Sequence, residues 1–371
     1  MTLRNYSATL TVDTISLTSD SPAFSFTLHT GEYLALLMLN DSGEALGTLS
    51  DILSGHRHSG NAHLTLLGQN VSRRPAGQRG LAVVGARDPL FAHLSVRNNL
   101  AFPLRAGKRP QDQAAHKTVQ LLALLGLEQQ ADAFPSSLTA SERLRAQLAR
   151  ALATDPAIII LEDIFAGLDS ETRADIHQRI LRLRRARDTS FLLLTRDRAD
   201  ALTAANRIGV IADGALLQIG PATELMERPA SPRLAVAMTD ANRLTGLAIT
   251  VEDDIVQTRL ACGGTMEGLA EGDVSEGDLV ELCIRPGRIA LMFPRGPVNA
   301  DDTNGSLPAT LSEIRNLGDL FVLRVRLADS TEVIVHRPAG SLPPGVASGQ
   351  TVLLAWGPSA AVVFPSQDKE G

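Results

Sequence analysis

Residues 8–17 and 24–28 alternate apolar and polar positions, the pattern of half-buried antiparallel strands. Leu34-Ala-Leu-Leu-Met-Leu39 is continuously apolar and too short for a buried helix, so it predicts a strand covered on both faces. Ala157-Ile-Ile-Ile-Leu161 and Phe191-Leu-Leu-Leu-Thr195 repeat that signal. Between the apolar runs, residues 112–126, 140–153 and 171–187 carry helical spacing. Buried strands alternating with helices predict an α/β layer around a parallel central sheet, interrupted over 87–137 by a mostly helical insert. The period changes after about residue 236. Val280-Glu-Leu-Cys-Ile284, Phe321-Val-Leu-Arg-Val-Arg-Leu327 and Glu332-Val-Ile-Val-His336 are short alternating strands separated by Gly, Pro, Asp and Ser turns. They predict small antiparallel barrels, read as sub-units at about 240–297 and 305–367 split by Pro297–Ser306. The expected organisation is a domain at 1–235 and an all-β domain at 236–371.

Composition narrows this picture without redirecting it. In 371 residues, 44% are hydrophobic and 20% charged, which fits folded domains and argues against long disorder. The net charge of −6 leaves no global footprint for nucleic acid. The basic run Arg179–Arg187 has helical spacing and reads as a solvated helix face. Cys262 and Cys283 show no metal-ligand spacing and suit structural roles in a reducing compartment. The first residues, Met1–Ser7, carry no apolar targeting stretch, and no apolar run reaches the roughly 18 residues that span a bilayer. A cytoplasmic protein is expected, with any membrane association supplied by a partner.

Chemistry enters through a series of blocks. Thr30-Gly-Glu-Tyr-Leu-Ala-Leu-Leu37 precedes a Ser-Gly at 42–43. Asp88–Leu104, Ser137-Leu-Thr-Ala-Ser-Glu-Arg143, Gln147–Pro156, Ile158–Asp169, Leu194–Leu202 and Asn206–Pro221 follow in order. Together they resemble the ATP-binding-cassette (ABC) ATPases: phosphate loop, segment after the Q-loop, signature, Walker B with D-loop, and H-loop. Cys283-Ile-Arg-Pro-Gly-Arg288, Ile314–Asp319 and Val352–Pro358 are similar to the regulatory barrels appended to importer ATPases, the spermidine/putrescine and ferric-iron group first and sugar importers next. The resemblance implies an ABC ATPase domain with a helical subdomain at about 87–137, followed by OB-like barrels. It also implies Mg·ATP as cofactor and three kinds of partner: permease subunits, a second ABC ATPase subunit, and indirectly a periplasmic solute-binding protein. The location it implies is peripheral, at the cytoplasmic face of the plasma membrane.

The residues depart from the chemistry that this resemblance implies. A phosphate loop cradles phosphates with glycine-flanked amides, neutralises them with Lys and ligates Mg²⁺ with a Ser or Thr hydroxyl. The corresponding octet is Met38-Leu-Asn-Asp-Ser-Gly-Glu-Ala45. Of the motif only the second glycine, Gly43, remains, preceded by Ser42, while Met38 occupies the first glycine position, Glu44 the lysine and Ala45 the hydroxyl. A unit charge about 4 Å from another is worth about 4 kcal/mol at an effective dielectric near 20, so Lys to Glu is a swing of about 8 kcal/mol. Asp41 adds further negative charge, and Mg·ATP in the family's pose is not expected.

The remaining positions agree with that reading. Ala86 falls at the Q-loop glutamine and offers no polar group. Walker B is inverted, with Glu162 at the metal-holding Asp and Asp163 at the catalytic Glu, which changes each reach by one methylene. Arg196 falls at the H-loop histidine, and no aromatic lies between residues 7 and 23 to stack on adenine. The signature reads Leu138-Thr139-Ala140-Ser141-Glu142. It keeps a hydroxyl at Thr139 but gives both glycine positions a side chain. The D-loop Asp169 is retained. No metal site is assigned. With the lysine and histidine positions both facing the γ-phosphate in the family, Glu44 and Arg196 are expected to pair across the slot. The Asp88–Leu104 segment reads either as fold maintenance or as a retained docking element for a permease. The function expected is a non-catalytic or regulatory cassette subunit of a small-solute importer. The alternative is a weakly active or heterodimer-dependent ATPase to which this chain supplies Thr139 and Asp169.

Overall fold

The alternation near the start of the chain forms two antiparallel strands, β1 (Ala8–Ile15) and β2 (Phe24–His29), with Leu10, Val12, Phe26 and Leu28 turned inward. The apolar run that follows is β3 (Tyr33–Leu39), buried on both faces. It leads through a short loop into α1 (Glu44–Ser54). The computed structural model describes residues 7–41, 43–186, 189–294 and 305–366. Ser42, Arg187 and the 297–304 stretch expected to split the β domain lie outside the described residues, as does nearly all of Met1–Ser7. Two units are formed, Met1–Ala222 and Thr223–Gly371.

In the first unit, β4 (His63–Leu66), β5 (Gln69–Asn70) and β6 (Leu81–Gly85) precede a helical stretch of α2 (Val96–Ala106), α3 (Gln111–Leu125) and α4 (Ala140–Ala153). Then come β7 (Ile158–Glu162), α5 (Ser170–Ala186), β8 (Ser190–Thr195), α6 (Arg198–Ala204), β9 (Arg207–Ala212) and β10 (Ala215–Gly220). The central sheet runs β10-β9-β3-β8-β7-β6, parallel from β9 to β6, with β10 an antiparallel edge. A second, antiparallel sheet runs β2-β1-β4-β5. Leu46, Leu49, Ile52 and Leu53 of α1 share one core with Leu34 and Leu36 of β3 and with Leu10, Val12 and Phe26 of the antiparallel sheet. Burial of that order, at about 25 cal/mol per Å² of apolar surface, pins α1 and hence the loop before it. Loops leaving the carboxyl ends of β3, β6, β7 and β8 therefore share one edge of the sheet, where ligands bind in open α/β folds.

The second unit opens with α7 (Ala222–Glu227) and α8 (Pro232–Thr239). Its strands are β11 (Asn242–Glu252), β12 (Ile255–Leu260), β13 (Thr265–Ala270), β14 (Leu279–Ile284), β15 (Ala290–Met292), β16 (Ser306–Asn316), β17 (Leu320–Arg326), β18 (Glu332–Pro338), β19 (Thr351–Ala355) and β20 (Ala361–Pro365). The expected sub-units at 240–297 and 305–367 do not follow one another but interleave. β20 returns to close the first barrel, β11-β12-β13-β20-β14, and β15 crosses to a five-stranded sheet, β15-β19-β16-β17-β18. One apolar core serves both, because inward residues such as Leu282, Val325, Val335 and Val363 pack as a single cluster. Asn242 joins the sheets by polar contacts: its side chain accepts from Ile334 N at 2.7 Å and donates to Ile334 O at 2.8 Å. Local alternation is blind to such strand exchange. Cys283 is buried, and burial pushes its thiol up to about 12; Cys262 is partly buried, and both are free.

Candidate functional site

The turn from β3 into α1 needs a left-handed residue, and Gly43 supplies it at φ +103°. Gly43 offers no side-chain cap to α1, whose first amides would otherwise lack partners. Asp41 fills that role. Its carboxylate accepts from Ala45 N at 3.1 Å and from Leu46 N at 3.0 Å, so an internal anion sits on the amides at the start of the helix. Charge and position agree, since a carboxylate is favoured at a helix N-terminus. Glu44 begins the helix, exposed, and among the described residues no cation lies within 4.0 Å of it. Ala45 is half-buried against the core.

Beside this loop stands a residue that sequence reasoning missed. Arg87 follows the exposed Ala86 at the end of β6 and reaches across to the end of β7. Its Nε lies 2.5 Å from Glu162 Oε1 and its NH2 2.7 Å from Oε2, a two-pronged pair with a buried carboxylate. The same guanidinium donates through NH1 to both Asp51 oxygens at 3.0 Å, and through NH2 to Gly47 O at 3.2 Å. Arg87 thus joins α1 to β7. Its hydrogen bonds to Glu162, helped by Asp51, hold its pKa above the usual arginine value. The approach of β6 to β7 requires Gly85, where a Cβ would come within 2.8 Å of Glu162 O. A cation adjoining the Q-loop position, next to a strand ending in Glu162, was the only signal available in the sequence.

The expected pairing of Glu44 with Arg196 is not formed. Arg196 instead binds Asp163, with NH2 at 2.5 Å and Nε at 3.2 Å from Asp163 Oδ2, and that hydrogen bond raises the arginine pKa. Strand register explains the choice. β7 and β8 are neighbours with Glu162 opposite Leu194, and Asp163 N donates to Leu194 O at 2.9 Å. Asp163 and Arg196 therefore leave adjacent strands side by side, Asp163 with φ +47°. The inverted pair diverges: Glu162 serves Arg87, and Asp163 serves Arg196. Gly43 borders the latter, as a Cβ there would stand 3.8 Å from Arg196 NH1.

The signature and D-loop residues are occupied by helix caps. Thr139 is the N-cap of α4. Its hydroxyl accepts from Glu142 N at 3.2 Å and donates to Glu142 Oε2 at 3.0 Å, while Thr139 N donates to the same carboxylate oxygen at 2.9 Å. This reciprocal capping box, with the Thr139 amide as main cause, holds the Glu142 carboxyl below its ordinary range. Leu138 is buried, Ala140 exposed and Ser141 half-buried. Asp169 accepts from Thr172 N at 2.8 Å and from the Thr172 hydroxyl at 2.7 Å. Space remains at the sheet edge as a cleft of about 340 Å³, bordered by Gly43, Ala86, Ala140, Gln147, Glu162 and Asp163. A second cleft of about 530 Å³ is lined by Arg87 itself, with Asp51, Asp88, Phe91, Phe102 and Arg150 among its walls. Among the described residues, no cluster of three or more His, Cys, Asp or Glu could hold a metal ion.

Comparison with known proteins agrees with this architecture. Residues 22–166 match the family model described as ABC transporter, and residues 282–364 match the model described as TOBE domain. The spermidine/putrescine import ATP-binding protein PotA 1 of Pseudomonas aeruginosa is 30% identical over 333 residues, spanning 88% of this chain and 87% of that protein. The putative 2-aminoethylphosphonate import ATP-binding protein PhnT of Salmonella typhimurium is 29% identical, over 92% of this chain and 89% of its own length. The sulfate/thiosulfate import ATP-binding protein CysA of Mycolicibacterium paratuberculosis is 30% identical, over 88% and 87%. Among solved structures, cbiO1 of Clostridium perfringens, part of the ABC transporter complex cbiONQ, superposes with a TM-score of 0.54 at 18% identity. It covers 60% of this chain and 91% of its own, a likeness of fold. No helix of the described residues is long and apolar enough to cross a membrane.

Proposed function

The chain belongs to the ATP-binding subunits of ABC importers, and from that premise we propose that it serves its importer as a docking and regulatory subunit rather than as a turnover ATPase. One arrangement carries the reading: the groups placed to meet phosphate and metal are already paired within the chain. Asp41 holds the loop amides, Arg87 holds Glu162, and Arg196 holds Asp163. With Glu44 at the lysine position and Ala45 at the hydroxyl, Mg·ATP in the family's pose meets an occupied slot. The residues present do not fit the group, and no step is routed through it.

Docking is supported by the surface beside the slot. The cleft of about 530 Å³ exposes Phe102, and its wall is held from behind by Arg150, which donates to Asp88 O at 2.9 Å and Pro89 O at 2.8 Å. Asn99 fixes the same wall through both Phe91 backbone groups. A permease segment is the occupant we assign to this cleft. The cassette then ends near residue 222 rather than 235, because α8 belongs to the second unit. Its helical subdomain lies at 87–137, and 223–371 form the appended regulatory domain. A second cassette subunit and, through the permease, a periplasmic binding protein for a small solute of the polyamine, iron or sugar kind complete the assembly at the cytoplasmic face of the membrane.

The test is nucleotide binding and turnover by the purified chain, alone and mixed with the ATPase encoded nearest to it. No turnover alone, with association to the permease, is expected. Turnover at the level of an ordinary ABC ATPase from the chain alone would sink the proposal. Turnover appearing only in the mixture, and lost in Asp169→Ala, would replace it with the heterodimer reading.

A further inference from the structure

Away from the slot, the hairpin of α2 and α3 encloses a cavity of about 480 Å³. On α2, Arg97, Ala101 and Arg105 recur every four residues and so line one face. The turn adds Arg109, and α3 contributes Ala114, Ala115, Thr118 and Val119. The lining holds three guanidinium groups and no carboxylate. Two of them are braced from outside it. Arg97 pairs with Asp132 at 3.0 Å, whose hydrogen bond raises the arginine pKa, and Arg109 pairs with Asp155 at 2.8 Å. Arg105 is exposed, and among the described residues its side chain makes no hydrogen bond or ion pair. Alanines keep the floor low, and Val119, 57% exposed, leaves one wall apolar.

We propose that this groove binds a phosphomonoester whose phosphate meets Arg105, Arg109 and Arg97 and whose body lies along the alanines and Val119. Three arguments lead there. Arg97 and Arg109 are each paired with a carboxylate outside the lining, and Arg105 adds a positive charge that none offsets, which favours an oxyanion in the groove. The planar guanidinium fork matches phosphate oxygens in pairs, and bracing of two arginines reduces the ordering that binding requires. The volume falls within the range of small-molecule pockets, roughly 300–1,000 Å³, so there is room for an organic body as well as the anion. The phosphomonoester is either a soluble metabolite or the headgroup of phosphatidic acid, which offers the same chemistry at a membrane.

The proposal is independent of the phosphate slot, and the experiment keeps the two apart. Calorimetric titration of the full chain with phenyl phosphate, in chloride buffer of matched ionic strength, is expected to show one saturable site. Arg105→Ala is expected to weaken binding about tenfold or more, the loss of one good charge-assisted pair. Arg105→Lys keeps the charge without the fork and should fall between them. Arg196→Ala, which removes a cation from the slot and opens no anion site there, should leave the titration unchanged. A second arm compares flotation with vesicles of phosphatidylcholine alone and with added phosphatidic acid. Arg105-dependent capture by the latter, without a phenyl phosphate isotherm, assigns the site to the lipid headgroup. Absence of both signals in the wild-type chain overturns the proposal, and so does binding that Arg105→Ala leaves intact. Because Arg105 is exposed and unpartnered, its loss is not expected to disturb folding, and an unchanged melting temperature checks this.

Discussion

The sheet-edge slot and the helical segment beside it belong to one unit, yet they are held by different kinds of interaction. In the helical segment local caps act beside exposed long-range pairs such as Arg97 with Asp132 and Arg109 with Asp155. Ser95 caps α2 through Asn98 N at 3.4 Å, Thr139 and Glu142 box the start of α4, and Asn99 secures the turn before α2. In the slot the contacts are long-range and ionic: Arg87 pairs with a carboxylate 75 positions away, and Arg196 with one 33 positions away. The difference lies in how deeply the matched carboxylates are buried, more in the slot than in the helical segment. Carboxylates at the ends of parallel strands face one another's loops, where residues distant in sequence can reach them. Arg87 and Arg196 supply positive charge there, while Asp41 supplies the anion for the loop amides.

The largest expected effect breaks the slot. Arg87→Ala leaves the buried Glu162 without its cation. Removing one partner of a fully buried pair costs about 3–5 kcal/mol, and the half-exposed guanidinium reduces that to about 2 kcal/mol. Calorimetry should then show the melting temperature lower by roughly 4–8 °C. A change within error would mean that Arg87 does not carry the slot's charge balance. Adding Asp51→Ala should cost less than the sum of the two single changes, because both act through one guanidinium.

Thr139→Ala tests the other region. Loss of an N-cap costs about 1 kcal/mol, and denaturant unfolding should show much the same loss at low and high salt. The box also has a pH signature. Glu142 has its folded pKa depressed, so its contribution is present above the ordinary carboxylate range and lost as pH falls through and below about 4. In Thr139→Ala this acid dependence should flatten. An unaltered pH profile would show that the cap does not hold the carboxylate.

Asp41→Ala is expected to cost about 0.5–1 kcal/mol of stability by uncapping α1. It should also free the amides of Ala45 and Leu46 for an outside anion, so added sulfate should raise the variant's melting temperature more than the parent's. Equal sulfate responses would separate Asp41 from the anion site. The smallest change is Arg196→Ala. Its pair with Asp163 is partly exposed, and a loss below about 1 kcal/mol, vanishing in molar salt, is expected from unfolding curves. A salt-independent loss would place Arg196 with the packed helical segment instead.

Much of this protein is legible in short-range pattern. The apolar runs correspond to β3, β7 and β8, and the helical spacing over 140–153 coincides with α4, because burial periodicity is set within a few residues. Glu44, Ala45, Ala86 and Arg196 were expected as site residues for the same reason: each lies within a local motif. What only the tertiary structure decided is the partner of each charge. Arg196 meets Asp163 rather than Glu44, Arg87 bridges Asp51 and Glu162, and β20 closes a barrel begun at β11. Those outcomes follow from which strands are neighbours and in what register, and a strand's own residues carry no record of its neighbour's register.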